Sequence, residues 1–246
     1  MYLFGSGTAI VTPAGSNPTP LNIGLLQELT INVAQSNKTL YGQYKDPVAV
    51  GAGTRKWTGN AKVARFSMQV LNALYFGTTI SAGQIAEMFG EAGTVPAVST
   101  YIVTTANSAT WTTDLGVIYT ATGLPLKRVA SGPTVGQYSV AAGVYTFAAA
   151  DASAKVLISY VYTIPTVGQN FSVPPTLIGS TINFAVNATM IDPTTNNVLS
   201  FLFPNCVANK FSMGSKLEDF VMPEFDFDIF ANAAGQIFIP STPDMF

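Results

Sequence analysis

The sequence of 246 residues has no histidine, one cysteine and few charged residues. Without histidine the chain lacks the commonest general base, the commonest metal ligand and every Ser-His or Cys-His catalytic pair. The single Cys206 excludes an intrachain disulfide and, with no second thiol or imidazole, a zinc or redox site. We therefore expect Cys206 to lie in a core, and we expect no catalytic residue, no metal site, no cofactor and no enzymatic activity.

Charged residues make up only 10% of the chain, whereas soluble domains contain roughly 25%. The net charge of -2 argues against a nucleic-acid-binding protein, which needs a broad basic patch to neutralise phosphates. Apolar residues make up 48% of the chain, enough for one large or two small domains with sizeable cores. The remaining surface is largely neutral, which favours association between protein surfaces.

Long hydrophobic runs are also lacking. No apolar span reaches the roughly 18 residues of a transmembrane helix. The first residues, MYLFGSGTAIVTP, lack the basic start and apolar stretch of a signal peptide. We therefore expect a protein that is made in the cytoplasm and is not inserted into a membrane.

What the chain does contain is a strand pattern. Short runs in which β-branched and aromatic residues alternate with polar ones, broken by Gly, Pro and Asn, predict a mainly β fold. Strands are expected at residues 26–35 and in three segments after residue 176, with DPTTNN at 192–197 as a turn.

One short helix is predicted in SMQVLNALYFG. Ser67 is a suitable N-cap and Gly77 a suitable stop. Val70, Leu71 and Leu74 fall on one face of this helix, so it needs a sheet to lie on.

The amino-acid composition changes between residues 92 and 163, where Ala, Thr and Val dominate and the predicted strands are shorter. Segments that contain proline lie at the two ends of this region, GTVPA at the first and TIPTVGQNFSVPP at the second. This pattern predicts a small β-sandwich-like domain at 92–163, inserted into a larger β domain made of residues 1–91 and 164–246.

The segment KDPVAVGAGTRKWTGNAKV, residues 45–63, is long, basic and rich in glycine. Together with KTLYGQY before it, it predicts a long exposed hairpin with VGAG, residues 50–53, as its flexible tip. The residues expected to make an interface there are Lys45, Asp46, Val50, Gly51, Gly53, Arg55, Lys56, Trp57 and Lys62.

Two segments of the sequence resemble the tail tube (major tail) proteins of tailed bacteriophages. They are LYGQYKDPVAVGAGTRKWTGNAKVARFSMQVLNALYFG and GSKLEDFVMPEFDFDIFANAAG. A third segment is similar to one that recurs in phage virion proteins, namely GQYSVAAGVYTFAAADASAKVLISYVYT. The resemblance covers most of the chain and includes no catalytic signature. It implies a β-barrel or sandwich with one short flanking α-helix and a long stacking hairpin. Copies would form hexameric rings with a central lumen, stacked into a tube that conducts DNA into the host.

The partners that this resemblance implies are further copies of the chain, the tape measure, terminator and distal tail proteins, and viral DNA that passes without specific binding. Its place would be the tail of the virion, assembled in the host cytoplasm. An inserted domain that bulges outward would obstruct a contractile sheath, which favours a non-contractile tail. Two other classes stay open, namely another virion component such as a capsid decoration protein, and a carbohydrate-binding β-sandwich module.

The stretch EFDFDIF places carboxylates at every second position, and hence on one face of a strand. A cation site is disfavoured because no calcium-loop pattern surrounds it, and paired carboxylates alone do not indicate glycoside hydrolysis. The acidic residues are expected either to line the lumen or to bind the basic hairpin of a neighbouring copy. They are Glu218, Asp219, Glu224, Asp226 and Asp228.

Overall fold

The computed structural model describes residues 7–65 and 67–243. The chain forms two compact units, one comprising Met1–Thr79 with Ser172–Phe246 and the other Ile80–Phe171. Both units are mainly β, as predicted. In the described residues no helix has the length and apolar character needed to span a membrane.

The first unit contains strands from both ends of the chain. They are β1 (Thr8–Pro13), β2 (Leu21–Asn22), β3 (Leu26–Tyr41) and β4 (Pro47–Val63), followed after the second unit by β12 (Asn183–Ile191), β13 (Val198–Ser212), β14 (Glu224–Ile229) and β15 (Ile239–Ser241). They form one sheet in the order β2-β1-β12-β13-β14-β4-β3, and β15 pairs with the start of β13. Every strand pair in this sheet is antiparallel.

The sheet has one apolar and one polar face because its side chains alternate. In β14, Phe225, Phe227 and Ile229 are buried, while the three carboxylates that alternate with them are only partly covered. The neighbouring β13 contributes Cys206, which is buried and unpaired, so its prediction as a core residue is confirmed. The same register brings Phe184 of β12 opposite Cys206.

The predicted helix forms where its end signals lie. Helix α1 (Met68–Leu71) begins at Ser67, whose side chain accepts a hydrogen bond from the backbone N–H of Val70. It continues as a π-helical turn, Asn72–Phe76, and ends at Gly77, where φ is 59°. That left-handed conformation suits glycine. The predicted apolar residues of this helix, Val70, Leu71 and Leu74, are all buried.

Tyr75 packs the π-helical turn against the sheet. Its ring lies 6.1 Å from that of Phe211 and 6.4 Å from that of Phe225, measured between centroids. Its hydroxyl donates a hydrogen bond to the backbone carbonyl of Lys210. Burial, followed by the nearby Asp226 charge, raises the pKa of Tyr75. The helix therefore covers the apolar face of β13 and β14.

The hairpin prediction was right about a long hairpin and wrong about its tip. β3 is one strand of 16 residues, and it pairs with β4 almost to its end, with Lys38 opposite Gly51 and Leu40 opposite Ala49. Residues 50–53 therefore lie inside β4, and the turn is formed by residues 42–46. The register of β3 against β4 sets the position of the turn, and the glycines at 51 and 53 are accommodated in a paired strand.

The second unit contains β5 (Ser81–Thr94), β6 (Ile102–Thr104), β7 (Trp111–Tyr119), β8 (Lys127–Arg128), β9 (Gln137–Ala141), β10 (Val144–Phe147) and β11 (Lys155–Asn170). They form two sheets, β5-β11-β7 and β6-β10-β9-β8. One core is shared by residues of both sheets. It consists of Val95, Val117, Leu126, Tyr138, Tyr145, Phe147, Val156, Ile158 and Tyr160.

This unit is longer than the insert expected at 92–163. β5 and β11 pair from Lys155 opposite Thr94 to Asn170 opposite Ser81. Each of these strands therefore extends beyond the boundary drawn from composition. Because Ser81 and Asn170 are direct partners, the unit begins and ends at adjacent points.

Candidate functional site

The outer part of the β3–β4 hairpin, residues 33–56, is here called the arm. Every residue of the arm is exposed, whereas Trp57 and the residues after it on β4 pack in the sheet. Ten residues of β4, 47–56, lie in this part, which makes the arm about 33 Å long at the usual rise per residue. The arm is therefore a two-stranded ribbon that the rest of the first unit does not support.

The arm combines apolar side chains with positive charge. Its exposed large apolar residues are Val33, Leu40, Tyr41, Tyr44, Val48 and Val50. It carries four of the eleven basic residues of the chain but only one of the thirteen acidic ones, Asp46. The four basic residues are Lys38, Lys45, Arg55 and Lys56.

The interface residues predicted from the sequence fall into two groups. Seven of them lie on the arm or its turn, namely Lys45, Asp46, Val50, Gly51, Gly53, Arg55 and Lys56. The other two belong to the sheet. Trp57 is partly buried with its ring centroid 5.7 Å from that of Phe238, and Lys62 lies between two carboxylates of the same chain.

Lys62 is the centre of an ion-pair cluster on the polar face of the sheet. Its Nζ lies 2.9 Å from Glu28 Oε2 and 3.5 Å from Glu224 Oε1. These residues are direct cross-strand partners, because Glu28 and Glu224 flank Lys62 in the register. The hydrogen bond from Lys62 lowers the pKa of Glu28, and the same bond raises the pKa of Lys62.

The other two carboxylates of β14 also have partners in their own chain. Asp226 accepts a hydrogen bond from the Asn60 side chain and lies 3.9 Å from Lys210 Nζ. Asp228 Oδ1 lies 3.5 Å from Lys56 Nζ. The structure therefore brings together basic hairpin residues and β14 carboxylates within one copy.

The polar face is consequently close to neutral. It carries four carboxylates, those of Glu28 and β14, and three cations, those of Lys56, Lys62 and Lys210. Across the described residues, no group of three or more His, Cys, Asp or Glu side chains is arranged to hold a metal ion. The face is thus built as a ladder of cross-strand pairs.

Glu218 and Asp219 lie apart from this ladder, in the β13–β14 connection. Residues 213–222, here called the exposed loop, are all exposed. The side chains of Leu217 and Phe220 are 93% and 90% exposed. The two acidic residues were predicted from the sequence as site residues, whereas the two apolar ones were not, although all four lie in one short segment, LEDFVM.

The second unit contains a buried carboxylate, Asp114, that is held by tyrosines. Tyr138 and Tyr145 donate hydrogen bonds to it at 2.7 and 2.9 Å. The guanidinium of Arg128 lies 3.7 Å away, and Trp111 donates to the Tyr145 hydroxyl. Two hydroxyl donors and one cation therefore surround the Asp114 carboxylate within the second unit.

A scan against known protein families finds no family that matches the chain, and a search of curated proteins finds none that matches significantly. Function is therefore inferred from the arm, the polar face and the exposed loop.

Proposed function

We propose that the protein is the structural subunit of a bacteriophage tail tube. Copies form hexameric rings, and the rings stack into a conduit through which DNA passes into the host. The observation that supports this most directly is the arm, which has the length and exposed surface of an element that bridges two copies.

An unsupported ribbon is a poor structure for a monomer. Two strands without a third strand or a covering helix are at best marginally stable in water. The arm also exposes Leu40, Tyr41 and Tyr44, whose burial against another surface would stabilise the assembled form. A second copy of the chain supplies such a surface at every step of a stacked tube.

The sheet edges favour ring closure. β3 is an edge strand of 16 residues, and within the described residues it pairs only with β4. At the opposite edge, β2 pairs with β1 only at Ile10 and Val11. Open edges are aggregation hazards unless they are paired. Pairing of one copy's β3 edge with the next copy's β1 edge is a head-to-tail contact, which closes into a ring at the right rotation.

The polar face suits the lumen of such a ring. DNA must slide through the tube without being held, so a wall of balanced or slightly negative charge is better than a basic one. The carboxylates of this face outnumber its cations by one, and each has a partner close by. The second unit, which a contractile sheath would have to accommodate, favours a non-contractile tail.

The proposal is tested by the shape of the purified assembly. Negative-stain electron microscopy and light scattering should show hexameric rings and open-ended tubes with a central channel. Compact trimers would instead indicate a capsid decoration protein. A monomer that binds glycans would indicate a carbohydrate-binding module. Either of these results would overturn the tail-tube proposal.

Shortening the arm separates folding from stacking. Residues 36–54 are replaced by Asn-Gly, which forms a tight turn between the direct partners Gln35 and Arg55. We expect the circular dichroism spectrum and the rings to persist while tubes are lost. A variant with an arm of full length, Thr39→Ser, serves as the control. Tubes of normal length from the shortened protein would contradict the role of the arm.

A further inference from the structure

The exposed loop and the arm lie at opposite ends of the same sheet. The loop joins Ser212 to Glu224, which are direct partners, and Glu224 is paired with Lys62 at the inner end of β4. The arm begins beyond Trp57, which pairs with Ile229 at the other end of β14. An arm that continues straight from the sheet therefore points away from the loop of its own chain.

From this arrangement we propose that the exposed loop, residues 213–222, is the docking site for the arm of a second copy in the next ring. This inference rests on the proposed tail tube and names the surface that its stacking uses. A contact between opposite ends of identical subunits is heterologous, and it repeats without limit along one axis. Such a contact gives an open-ended stack.

The two surfaces have net charges of opposite sign, because the arm has four basic residues and one acidic one, whereas the loop has Glu218 and Asp219 against a single cation, Lys216. On the arm, Lys38, Lys45 and Arg55 make no salt bridge within the described residues, and on the loop the same holds for Glu218 and Asp219. The β14 carboxylates are poorer candidates for the arm because they already have cationic or amide partners. The carboxylates that remain available to bind the basic residues of an arm are therefore those of the loop, Glu218 and Asp219.

Both surfaces also offer apolar side chains. A groove of about 280 Å³ beside the loop is lined by Phe220, Met222 and Asp219. Its walls also include the charged residues Lys62, Lys216 and Glu224. At the turn of the arm, Tyr44 is 71% exposed and precedes Lys45. An aromatic ring in the groove, with the adjacent ammonium near Asp219, would combine apolar burial with a charge pair. Aromatic anchors in pockets carry much of the energy of protein interfaces.

A charge-swap experiment tests the contact. One variant carries Glu218→Lys and Asp219→Lys, a second carries Lys38→Glu and Lys45→Glu, and a third carries all four changes. We expect each pair alone to raise the concentration needed for tube growth at least tenfold while rings persist. The combined variant should recover most of the loss. Glu87→Lys, at an exposed carboxylate of the second unit, shifts the net charge in the same direction as the loop variant by half as much and serves as a control.

Cross-linking provides a second readout that does not depend on a loss of assembly. Cys206 is buried, so Gln43→Cys on the exposed turn of the arm together with Leu217→Cys supplies the only accessible thiols and keeps Tyr44. Oxidation of assembled protein should produce a ladder of disulfide-linked oligomers, and either substitution alone should produce none.

The outcomes separate the inference from the function on which it rests. Two results would contradict the loop as the docking site and leave the tail-tube proposal intact. One is normal tubes from the Glu218→Lys, Asp219→Lys variant, and the other is oxidised tubes that contain no disulfide-linked oligomers. The same holds if the combined variant fails to recover. Wild-type protein that forms neither rings nor tubes would contradict both proposals.

Discussion

The ring of Phe227 occupies the space that a side chain at Gly59 would need. The two residues are direct partners across β14 and β4. A Cβ atom added to Gly59 would lie 2.2 Å from Cζ of Phe227, far inside van der Waals contact. Phe227 is itself buried, so its ring has little room to move. A glycine at 59 thus allows an aromatic ring to lie against the backbone of the neighbouring strand.

Gly59→Ala should therefore destabilise the first unit by about 1–3 kcal/mol, the usual range for overpacking a core. Urea denaturation followed by intrinsic fluorescence measures this change. Gly51→Ala on the same strand is a matched control, because its added Cβ would meet nothing closer than 3.9 Å. Equal effects of the two substitutions would show that strand propensity, and not the Phe227 ring, decides the outcome.

The ion pair between Glu28 and Lys62 should make stability depend on pH. The pKa of Glu28 lies below its ordinary value of 4.5 in the folded protein. Its contribution is therefore present above that value and is lost as the pH falls through the folded pKa. The pKa of Lys62 is raised above its ordinary 10.5, so its contribution is lost only as the pH rises through that raised value.

Glu28→Gln tests this dependence and keeps the hydrogen-bond acceptor for Thr30. The variant should be less stable than the wild type at neutral pH, and the difference should vanish at acid pH. Because the pair is exposed, high salt should also shrink the difference. Denaturation curves at several pH values check this. A difference that persists in acid would mean that the carboxylate charge is not responsible.

Cys206 should be unreactive in the folded protein. Burial raises the pKa of its thiol to about 12, and the thiolate is the reactive form. Labelling with a maleimide at neutral pH should be slow in buffer and fast in denaturant. Tyr44→Cys places an exposed thiol on the arm, and in unassembled subunits it should label quickly without denaturant. Fast labelling of the wild type would show that the apolar face opens readily.

The second unit should fold by itself and be dispensable for assembly. Its core consists of its own residues, and its ends meet where Ser81 pairs with Asn170. A peptide of residues 80–171 should unfold cooperatively. The rest of the chain, with Thr79 joined to Ser172 through a short Gly/Ser linker, should still form rings. Loss of soluble fold in both pieces would contradict this division.

The helix and the hairpin differ in how far they were predictable. The helix follows from its own residues, because Ser67 caps the first turn and Gly77 adopts the left-handed conformation that ends the last one. The alternation along β14 is equally local, and it correctly placed Asp226 and Asp228 on one face. Each of these features depends only on neighbours within a few positions.

The sequence by itself thus determined that the protein is mainly β, that it has one capped helix, and that its acidic residues share a strand face. Tertiary structure decided which residues stand opposite one another. It placed the turn at residues 42–46, surrounded Asp226 with Asn60 and Lys210, and set the arm and the exposed loop at opposite ends of the sheet. The physical reason is that strand register is set by pairing between distant segments, and a shift of one residue would exchange every partner and face.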